Sequence, residues 1–529
     1  MISGEKLPKK YLLLNGHIVT MDDANSKAEA VAIDNGQIVC VGSLSDMKKF
    51  LEQGWPYYDV GGKTVIPGFI DCHSHLDLTG IMQSGYQVDE ISTISELILM
   101  IRQLASTIPE GQTILLFGLD ETKLKERRVP GKDDLDQASI RHPIVLLHYT
   151  WHQTFLNSTA LQRFQITLGQ LGAVAYNGEL TGILKDPVAF EVNSAVIKEI
   201  PEETIEKGIV QVVEKALRHG LTTIHTMQGA MGLDQLTELM LRLQEKLPIH
   251  LLFWEQSNNV ERAIKNKLSR IGGCGSMQAD GEVGSNTAAV FENNTERIVH
   301  RGLLNYSQDY WDKLILEAHR NRLQFAAHAE GEAGIEAVLS ALEKAQKAYQ
   351  RANSRHRIEH MELPTLEQLN RMSQIDVLAS MQPAFANVKP SEFRKLLREY
   401  GEQRMRYFNP LKSVCKLGIK LVGGSDSPVT PYDPLWGIHC ALNHPVKEER
   451  LSVWEALRMF TICAAYSGFE ENLKGTIEEG KLADLVVLSA NPFQVKPEEF
   501  WQSVKVTAIL VKEKLYRAQS DSGMELTSI

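Results

Sequence analysis

The stretch VIPGFIDCHSHLD, residues 65–77, carries the signal that decides the fold. An apolar run follows Pro67 and Gly68, and it ends in His73 and His75. Residues i and i+2 of a strand point the same way, so both imidazoles can reach one metal ion. In a parallel β/α barrel, the carboxyl ends of the strands face the active-site mouth. The stretch therefore predicts a barrel strand that ends in a metal-binding histidine pair.

Seven later apolar runs carry or precede polar residues at their carboxyl ends, and helical segments separate several of them. These runs begin at Leu221, Ile249, Gly275, Leu323, His356, Asp376 and Lys420. Strands that alternate with helices favour a parallel sheet, and eight such units favour a closed barrel. We therefore predict an α/β fold, a TIM-like (β/α)₈ barrel.

Three of these runs end in residues that extend the histidine pair. His328 ends the run FAAH, His360 ends RIEH, and Asp426 ends LVGGSD. Imidazole and carboxylate ligands suit Zn²⁺ best, with Fe, Mn, Co and Ni as alternatives. Such a metal lowers the pKa of bound water to about 7, and a carboxylate beside that water can take its proton. Asp426 fits the roles of ligand and base, whereas Glu359 faces the other side of its strand and is expected to support the site.

The two ends of the chain are both rich in strand-like runs. Near the amino terminus, turn signals at Asn15–Gly16 and Asn35–Gly36 predict two hairpins in succession. Similar runs return after the last helices, so we predict one small β-sandwich domain built from both chain ends. The predicted bounds are 1–64 and 471–529 for its two halves, 65–470 for the barrel and 77–220 for an insertion over the barrel mouth.

Composition limits the classes of function. The chain has 529 residues, of which 43% are hydrophobic and 23% charged, as in an ordinary soluble protein. Its net charge of −10 argues against nucleic-acid binding and gives no support for binding anionic membranes. The six cysteines are scattered, and no secretory or membrane-spanning run is visible, so a cytoplasmic protein is expected. The expected partner is a small-molecule substrate, and the sequence leaves both a monomer and a homo-oligomer open.

The order of these motifs resembles the amidohydrolase superfamily from about Tyr11 to Leu515. The shared pattern is PGFIDCHSH, single histidines on the fifth and sixth strands, GSD on the eighth, and the closing KGTIEEGKLADLVVL. It is most similar to the branch of N-substituted formamide deformylase-like, or YtcJ-like, amidohydrolases. The segments that carry this finer resemblance are TWH (150–152), TGILKD (181–186), ADGEVGSNTAAV (279–290), HAEGEA (328–333) and SMQP (380–383).

The resemblance implies roles for individual residues. The implied metal ligands are His73, His75, His328, His360 and Asp426, which would hold one or two divalent ions per chain, with Zn²⁺ as the expected metal. Asp426 would also shuttle the proton, and the further pocket residues would be the catalytic candidates His152 and His225 and the substrate-binding candidates Asp280, Trp151 and Glu332. The aromatic ring of Trp151 suits either an apolar pocket or the core, and Glu332 stands where the branch has an aspartate.

One departure concerns the bridge between two metals. Many superfamily members carry a carbamylated lysine on the fourth strand, whereas this chain has Ser276 at the expected position. Lys185 in the insertion could replace that lysine as a carbamylated bridge, or Asp186 could supply a carboxylate. A solvated surface lysine is an equally good interpretation of Lys185. Without a bridge the site would hold one metal.

Three functions follow from this pattern. The first is hydrolysis of a non-peptide C–N bond, in an amide or an N-substituted formamide, by metal-activated water. The second is deamination of an aminated heterocycle at a mononuclear site. The third is a non-catalytic barrel kept for assembly, which the complete ligand set disfavours.

Overall fold

The computed structural model describes residues 4–229, 233–291, 300–517 and 526–527. The chain forms two compact units. The first comprises residues 1–75, 213–228 and 242–529, and the second comprises residues 76–212 and 229–241, within the described ranges. Among the described residues, no helix is both long and apolar enough to cross a membrane.

The first unit contains an eight-stranded parallel sheet whose strands follow one another around a barrel in chain order. Its strands are β1 (Phe69–Ser74), β2 (Leu221–Gln228), β3 (His250–Glu255), β4 (Arg270–Gln278), β5 (Gln324–Ala329), β6 (His356–His360), β7 (Val377–Met381) and β8 (Leu421–Gly423). A parallel bridge between Ser74 and Ser427 joins the two ends of the sheet. The predicted TIM-like barrel is therefore present, nearly closed.

Helices with one apolar face follow most of these strands. Glu332–Ala348 buries Ile335, Val338, Leu342 and Ala345 at helical spacing. The helices of this unit are Leu44–Glu52, Val260–Lys265, Gln308–Arg320, Glu332–Ala348, Leu366–Met372, Pro390–Tyr400, Glu402–Met405, Leu411–Lys416, Pro434–Leu442, Val453–Met459, Ile462–Ser467 and Phe500–Ser503. Two further helices, Glu202–Arg218 and Asp234–Leu243, contain residues of both units.

Strands from both chain ends pair in two further sheets of the first unit. One sheet has the order Glu5–Lys6, Lys514–Arg517, Val506–Val511, Leu485–Leu488, Thr64–Pro67, His17–Val19 and Lys27–Ala28. The other has the order Leu526–Thr527, Tyr57–Asp59, Lys10–Leu14, Ala30–Asp34 and Gln37–Gly42. Buried side chains of both sheets, such as Leu13 and Leu510, share one apolar cluster. Residues 518–525, 528 and 529 of the predicted carboxy-terminal half lie outside the described residues.

Only one of the two predicted hairpins forms. Asn35 and Gly36 have φ values of 47° and 75° and join two antiparallel strands, as a tight hairpin turn requires. The strands on either side of Asn15 instead belong to different sheets, because Lys10–Leu14 pairs with Tyr57–Asp59 and His17–Val19 pairs with Thr64–Pro67. The local turn signal is correct, but the partners of the strands come from later in the chain.

The second unit is built on a six-stranded mixed sheet. Its strand order is Tyr86–Gln87, Ile114–Leu119, Ile144–His148, Gln153–Leu156, Glu179–Lys185 and Ala173–Tyr176. Its further helices are Leu76–Ser84, Ile94–Ala105, Lys132–Asp136, Ser158–Arg163 and Val188–Ile197. Ile94–Ala105 packs its apolar face into a core cluster with the first strands of this sheet. The region between the first two barrel strands is thus a folded unit.

Strand β4 begins earlier than the sequence predicts. The apolar run predicted from the sequence begins at Gly275, whereas the strand begins at Arg270. Gly272, Gly273 and Gly275 have φ values of 106°, 113° and 63°, which glycine adopts without steric cost. Because glycine weakens a regular strand, the sequence RIGGCG is typical of a loop. The difference matters because Cys274 lies in this segment.

Candidate metal centre

The first group of candidate ligands lies where β1 meets the turn after β8. His73 Nε2 lies 3.2 Å from Asp426 Oδ1, and His75 Nε2 lies 3.1 Å from the same oxygen. The Asp426 backbone N–H donates to the His73 carbonyl at 2.7 Å. The predicted ligands His73, His75 and Asp426 are therefore brought together, and the backbone bond that helps to close the barrel holds them in place.

The second group lies on strands β4, β5 and β6. Cys274 Sγ is 3.3 Å from His360 Nε2 and 4.0 Å from His328 Nδ1. The same sulfur is 3.4 Å from His73 Nε2. Ligand atoms of His73, His75, Cys274 and Asp426 lie within 4.8 Å of one another, as do those of Cys274, His328 and His360. Cys274 is the member common to both groups.

In three of the candidate-ligand histidines, the ring nitrogen that points away from the site is hydrogen-bonded. His73 Nδ1 lies 2.6 Å from Glu359 Oε2, His360 Nδ1 lies 2.7 Å from Gln382 Oε1, and His328 Nε2 lies 3.2 Å from the Gly281 carbonyl. Each acceptor requires that its histidine nitrogen carries the proton. The other nitrogen then presents a lone pair to the site, as second-shell partners of metal-bound histidines do.

A buried ion pair supports the carboxylate behind His73. Arg357 Nε and one terminal nitrogen lie 2.7 and 2.8 Å from the two oxygens of Glu359. Both side chains are fully buried. Burial alone would raise the pKa of Glu359, but Arg357 and His73 outweigh it and lower that pKa to about 2. Glu359 therefore stays ionised beside His73 Nδ1, and its supporting role stays a prediction.

The backbone is strained at two of the candidate ligands. His360 has φ of 69° and Asp426 has φ of 54°, in the left-handed region that non-glycine residues rarely adopt. Such conformations cost about 1–3 kcal/mol each and cluster at functional sites. Gly424, just before Asp426, has no room for a side chain, because a Cβ there would lie 2.6 Å from the His73 backbone nitrogen. This close approach positions Asp426 against the β1 histidines.

The donor set fits a divalent transition metal. From Zn–N and Zn–S bonds of about 2.0–2.3 Å, ligand atoms on one tetrahedral ion are roughly 3.3–3.6 Å apart. Four contacts among the candidate ligand atoms span 3.1–3.4 Å. Nitrogen, sulfur and carboxylate oxygen atoms, with the histidine lone pairs turned inward, are the ligands that Zn²⁺ prefers. These residues therefore form a candidate metal site.

Asp280 and Glu332, predicted to bind substrate, make structural contacts. Asp280 is fully buried and accepts backbone N–H groups of Ala289, Glu330 and Gly331 at 2.8–2.9 Å. Burial raises its pKa to about 6 despite these bonds. Glu332 accepts the Phe291 backbone N–H at 3.1 Å and pairs with Arg404 at 3.0 Å. Both carboxylates hold the segments that follow β4 and β5, and their contact with substrate stays a prediction.

His225, predicted to be catalytic, is buried in the barrel interior. Its ring packs against Trp254, with centroids 5.2 Å apart, and neither ring nitrogen has a hydrogen-bond partner among the described residues. Burial, reinforced by the positive charges of Arg357 and Arg270, holds the pKa of His225 well below its usual range. The imidazole is therefore neutral, and its catalytic role stays a prediction.

The remaining predicted residues belong to the second unit. His152 Nδ1 lies 2.5 Å from Asp186 Oδ2. Trp151 is buried against Phe117, with ring centroids 5.6 Å apart, and its φ is 68°. Lys185 ends the strand Glu179–Lys185 with an exposed side chain. The roles of His152, Trp151, Lys185 and Asp186 stay predictions.

Cys274 is the site residue that sequence reasoning missed. The glycines around it mask the strand, and the resemblance to the family instead points to Ser276, two residues later in β4. Cysteine is among the most frequently buried residue types, so a buried cysteine alone is a weak signal. The strand start at Arg270, four residues before Cys274, is seen only in the structure.

The sequence is similar to those of known proteins. A sequence profile of the amidohydrolase family matches residues 57–512. The chain is 28% identical to the protein LONG AFTER FAR-RED 3 of Arabidopsis thaliana, over 94% of this chain and 90% of that one. It is 27% identical to YtcJ of Bacillus subtilis (93% and 96% covered) and 26% identical to N-substituted formamide deformylase of Arthrobacter pascens (92% and 94% covered).

A solved structure has the same fold. The crystal structure of an uncharacterized metal-dependent hydrolase from Pyrococcus horikoshii OT3 superimposes with a TM-score of 0.75 at 24% identity, covering 93% of this chain and 99% of that one. The family match extends over most of the chain, from the terminal sheets through all eight barrel strands. The chain therefore belongs to the amidohydrolase family and is a hydrolase that acts on carbon–nitrogen bonds.

Proposed function

We propose that this protein hydrolyses an amide or an N-substituted formamide with the help of divalent metal. The observation that carries the proposal is the convergence of His73, His75 and Asp426 at one point of the barrel mouth, with His328 and His360 beside them. The likeness to N-substituted formamide deformylase over nearly the whole chain supports the choice of substrate class. Zinc suits the nitrogen, sulfur and carboxylate ligands best.

The proposed chemistry places one proton-transfer role on Asp426. When bound, the metal lowers the pKa of water to about 7 and polarises the substrate carbonyl. The Asp426 carboxylate accepts the proton of the attacking water and returns it to the leaving nitrogen. Its Oδ1 atom lies 3.2 Å from His73 Nε2 and 3.1 Å from His75 Nε2, so the proposed base stands beside the nitrogens that would hold the metal.

Glu359 and Gln382 contribute by orientation. Each accepts a hydrogen bond from one candidate ligand, His73 and His360 respectively, and so fixes which ring nitrogen faces the site. His152 and His225 are proposed to assist at the carbonyl oxygen. His152 would do so as a hydrogen-bond donor whose ring is oriented by Asp186.

A substrate panel with a matched pair of variants tests the proposal. The zinc-loaded protein is assayed on N-substituted formamides, simple amides and aminated heterocycles, with Asp426→Asn and Asp312→Asn in parallel. Asp312 is a carboxylate on the helix Gln308–Arg320 that pairs with Lys344 at 2.5 Å. We expect formamide cleavage that falls about 10²–10⁴-fold in Asp426→Asn and is unchanged in Asp312→Asn.

Other outcomes of the panel contradict the proposal. Ammonia release from aminated heterocycles without formamide cleavage would favour the deaminase instead. Full metal content without turnover of any compound would favour a non-catalytic barrel.

We also propose that the two terminal sheets form one β-sandwich domain with the predicted bounds 1–64 and 471–529. Their shared apolar cluster and the pairing of Thr64–Pro67 with Leu485–Leu488 support it.

All six cysteines are free thiols, which suits the proposed cytoplasmic location. The proposed partner is a small molecule, and a homo-oligomer stays a prediction that light scattering can test.

A further inference from the structure

One sulfur atom lies between the two groups of candidate ligands. Cys274 Sγ is 3.4 Å from His73 Nε2, a member of the first group, and 3.3 Å from His360 Nε2, a member of the second. Its side chain is buried inside the barrel, with 7% of its surface exposed. The spacing between Cys274 Sγ and each of these nitrogens is that expected for two ligands of one ion, so the sulfur can share an ion with either group.

The nitrogens that face Cys274 are those with free lone pairs. His73 and His360 bond through Nδ1 to Glu359 and Gln382, so Nε2 of each ring is the unprotonated atom. Two such nitrogens beside a thiol make a poor hydrogen-bond arrangement, because a thiol has one proton to share and is a weak donor. The same atoms make a good coordination shell once the thiol has lost its proton.

The backbone of β4 is adapted to this position. Gly273 pairs with Ala327 of β5, and the next pair is Gln278 with His328. Five steps along β4 thus match one step along β5, and this bulge contains Cys274. Bulges are found beside active sites, where they re-aim a side chain. Positive φ values at Gly273 and Gly275, on both sides of Cys274, allow the bulge to form.

We propose that the Cys274 thiolate bridges two metal ions, one held by His73, His75 and Asp426 and the other by His328 and His360. This inference rests on the proposed metal dependence. It gives the chain a binuclear centre whose bridge comes from β4 and needs neither carbon dioxide nor a lysine. Neither Ser276 nor Lys185 is then required for the second ion. A thiolate bridge also favours zinc over harder ions such as manganese or magnesium.

Cobalt substitution tests the bridge directly. Metal-stripped protein is reloaded with Co²⁺ in carbonate-free buffer, and both cobalt content and the near-ultraviolet thiolate-to-cobalt charge-transfer absorption are measured. The variants are Cys274→Ser, Lys185→Ala and, as matched control, Cys440→Ser, which alters another buried thiol in the helix Pro434–Leu442. We expect two cobalt ions and the charge-transfer band in wild type, Lys185→Ala and Cys440→Ser. Cys274→Ser should lose the band and bind the second ion about tenfold or more weakly.

The outcomes separate this inference from the proposed function. Two cobalt ions in wild type without the charge-transfer band would overturn the thiolate bridge and leave the metal-dependent hydrolase standing. Loss of one ion in Lys185→Ala, or a requirement for bicarbonate during reloading, would overturn it in favour of a carbamylated lysine. Wild type that binds no cobalt would contradict the proposed function as well. Because the band is measured on wild type, the test holds even if Cys274→Ser does not fold.

Discussion

Glu359 Oε2 accepts a hydrogen bond from His73 Nδ1 at 2.6 Å, which ties a carboxylate on β6 to a candidate metal ligand on β1. The next residue along β6, His360, is itself a candidate ligand. Two consecutive residues of this strand thus face the site in different roles, Glu359 by orienting His73 and His360 as a candidate ligand. Arg357, two residues before Glu359, keeps that carboxylate ionised.

Replacing this carboxylate is predicted to weaken metal binding. In Glu359→Gln the neutral amide no longer fixes the His73 tautomer, so we expect metal affinity to fall about 10–100-fold. The measurement is zinc retention in competition with a chelator. Glu336→Gln is the matched control. Glu336 lies on the outer helix Glu332–Ala348, where its carboxylate pairs with Arg371 and, within the described part of the chain, contacts no candidate ligand. Equal retention in wild type and Glu359→Gln would contradict the orienting role.

The same change could also harm folding, because it leaves Arg357 as a buried, uncompensated charge. Arg357→Lys separates the two effects. It keeps a positive charge near Glu359 but loses the two parallel hydrogen bonds. We expect its zinc affinity to lie between those of wild type and Glu359→Gln.

Asp280→Asn is predicted to destabilise the fold. Three backbone N–H groups point at the two carboxylate oxygens, and an amide would turn one acceptor into a donor that faces them. We expect the free energy of unfolding to fall by about 1–3 kcal/mol, measured by urea denaturation of the zinc-loaded protein. A raised KM with unchanged stability would instead support the substrate contact predicted from the sequence.

Two buried histidines outside the metal centre are predicted to make the protein sensitive to acid. The Phe325 backbone N–H donates to His356 Nδ1 at 2.9 Å, so His356 carries its proton on Nε2, which lies 2.8 Å from His319 Nδ1. His319 Nε2 then donates to the Tyr349 carbonyl at 2.7 Å. Both rings are neutral in this chain of bonds. Burial lowers the pKa of both, with a further contribution from Arg351.

The sign of the effect follows from linkage. In the unfolded chain a histidine has a pKa of about 6.5. Below that pH the unfolded state binds more protons than the folded state, so stability falls as pH falls from 6.5 towards the lowered folded pKa values. We expect His356→Gln to reduce the slope of the urea midpoint between pH 6.5 and 5. His17→Gln, in a terminal sheet, should keep the wild-type slope, and an unchanged slope in His356→Gln would refute the assignment.

The sequence predicts most of the barrel and most of the residues that converge at the candidate site, because each signal is local. A histidine or aspartate at the end of an apolar run is visible along the chain, as at His328, His360 and Asp426. The orienting contacts are not local, since Glu359 and His73 are 286 positions apart. The turn at Asn15 shows the same limit, because its flanking strands find partners in different sheets.

Cys274 was missed for a related reason. Its role depends on a bulge that is defined only by the register of β4 against β5. The glycines that permit the bulge also hide the strand. A sequence pattern indicates where regular strands lie, whereas Cys274 lies in the irregular part of its strand.

The most direct test of metal-dependent hydrolysis measures metal content and formamide cleavage on the same samples. The protein is assayed as purified, after stripping by a chelator, and after reloading with zinc. The account predicts that turnover disappears with the metal and returns in proportion to the zinc bound at His73, His75, Asp426, His328 and His360. Undiminished turnover in fully stripped protein would contradict it.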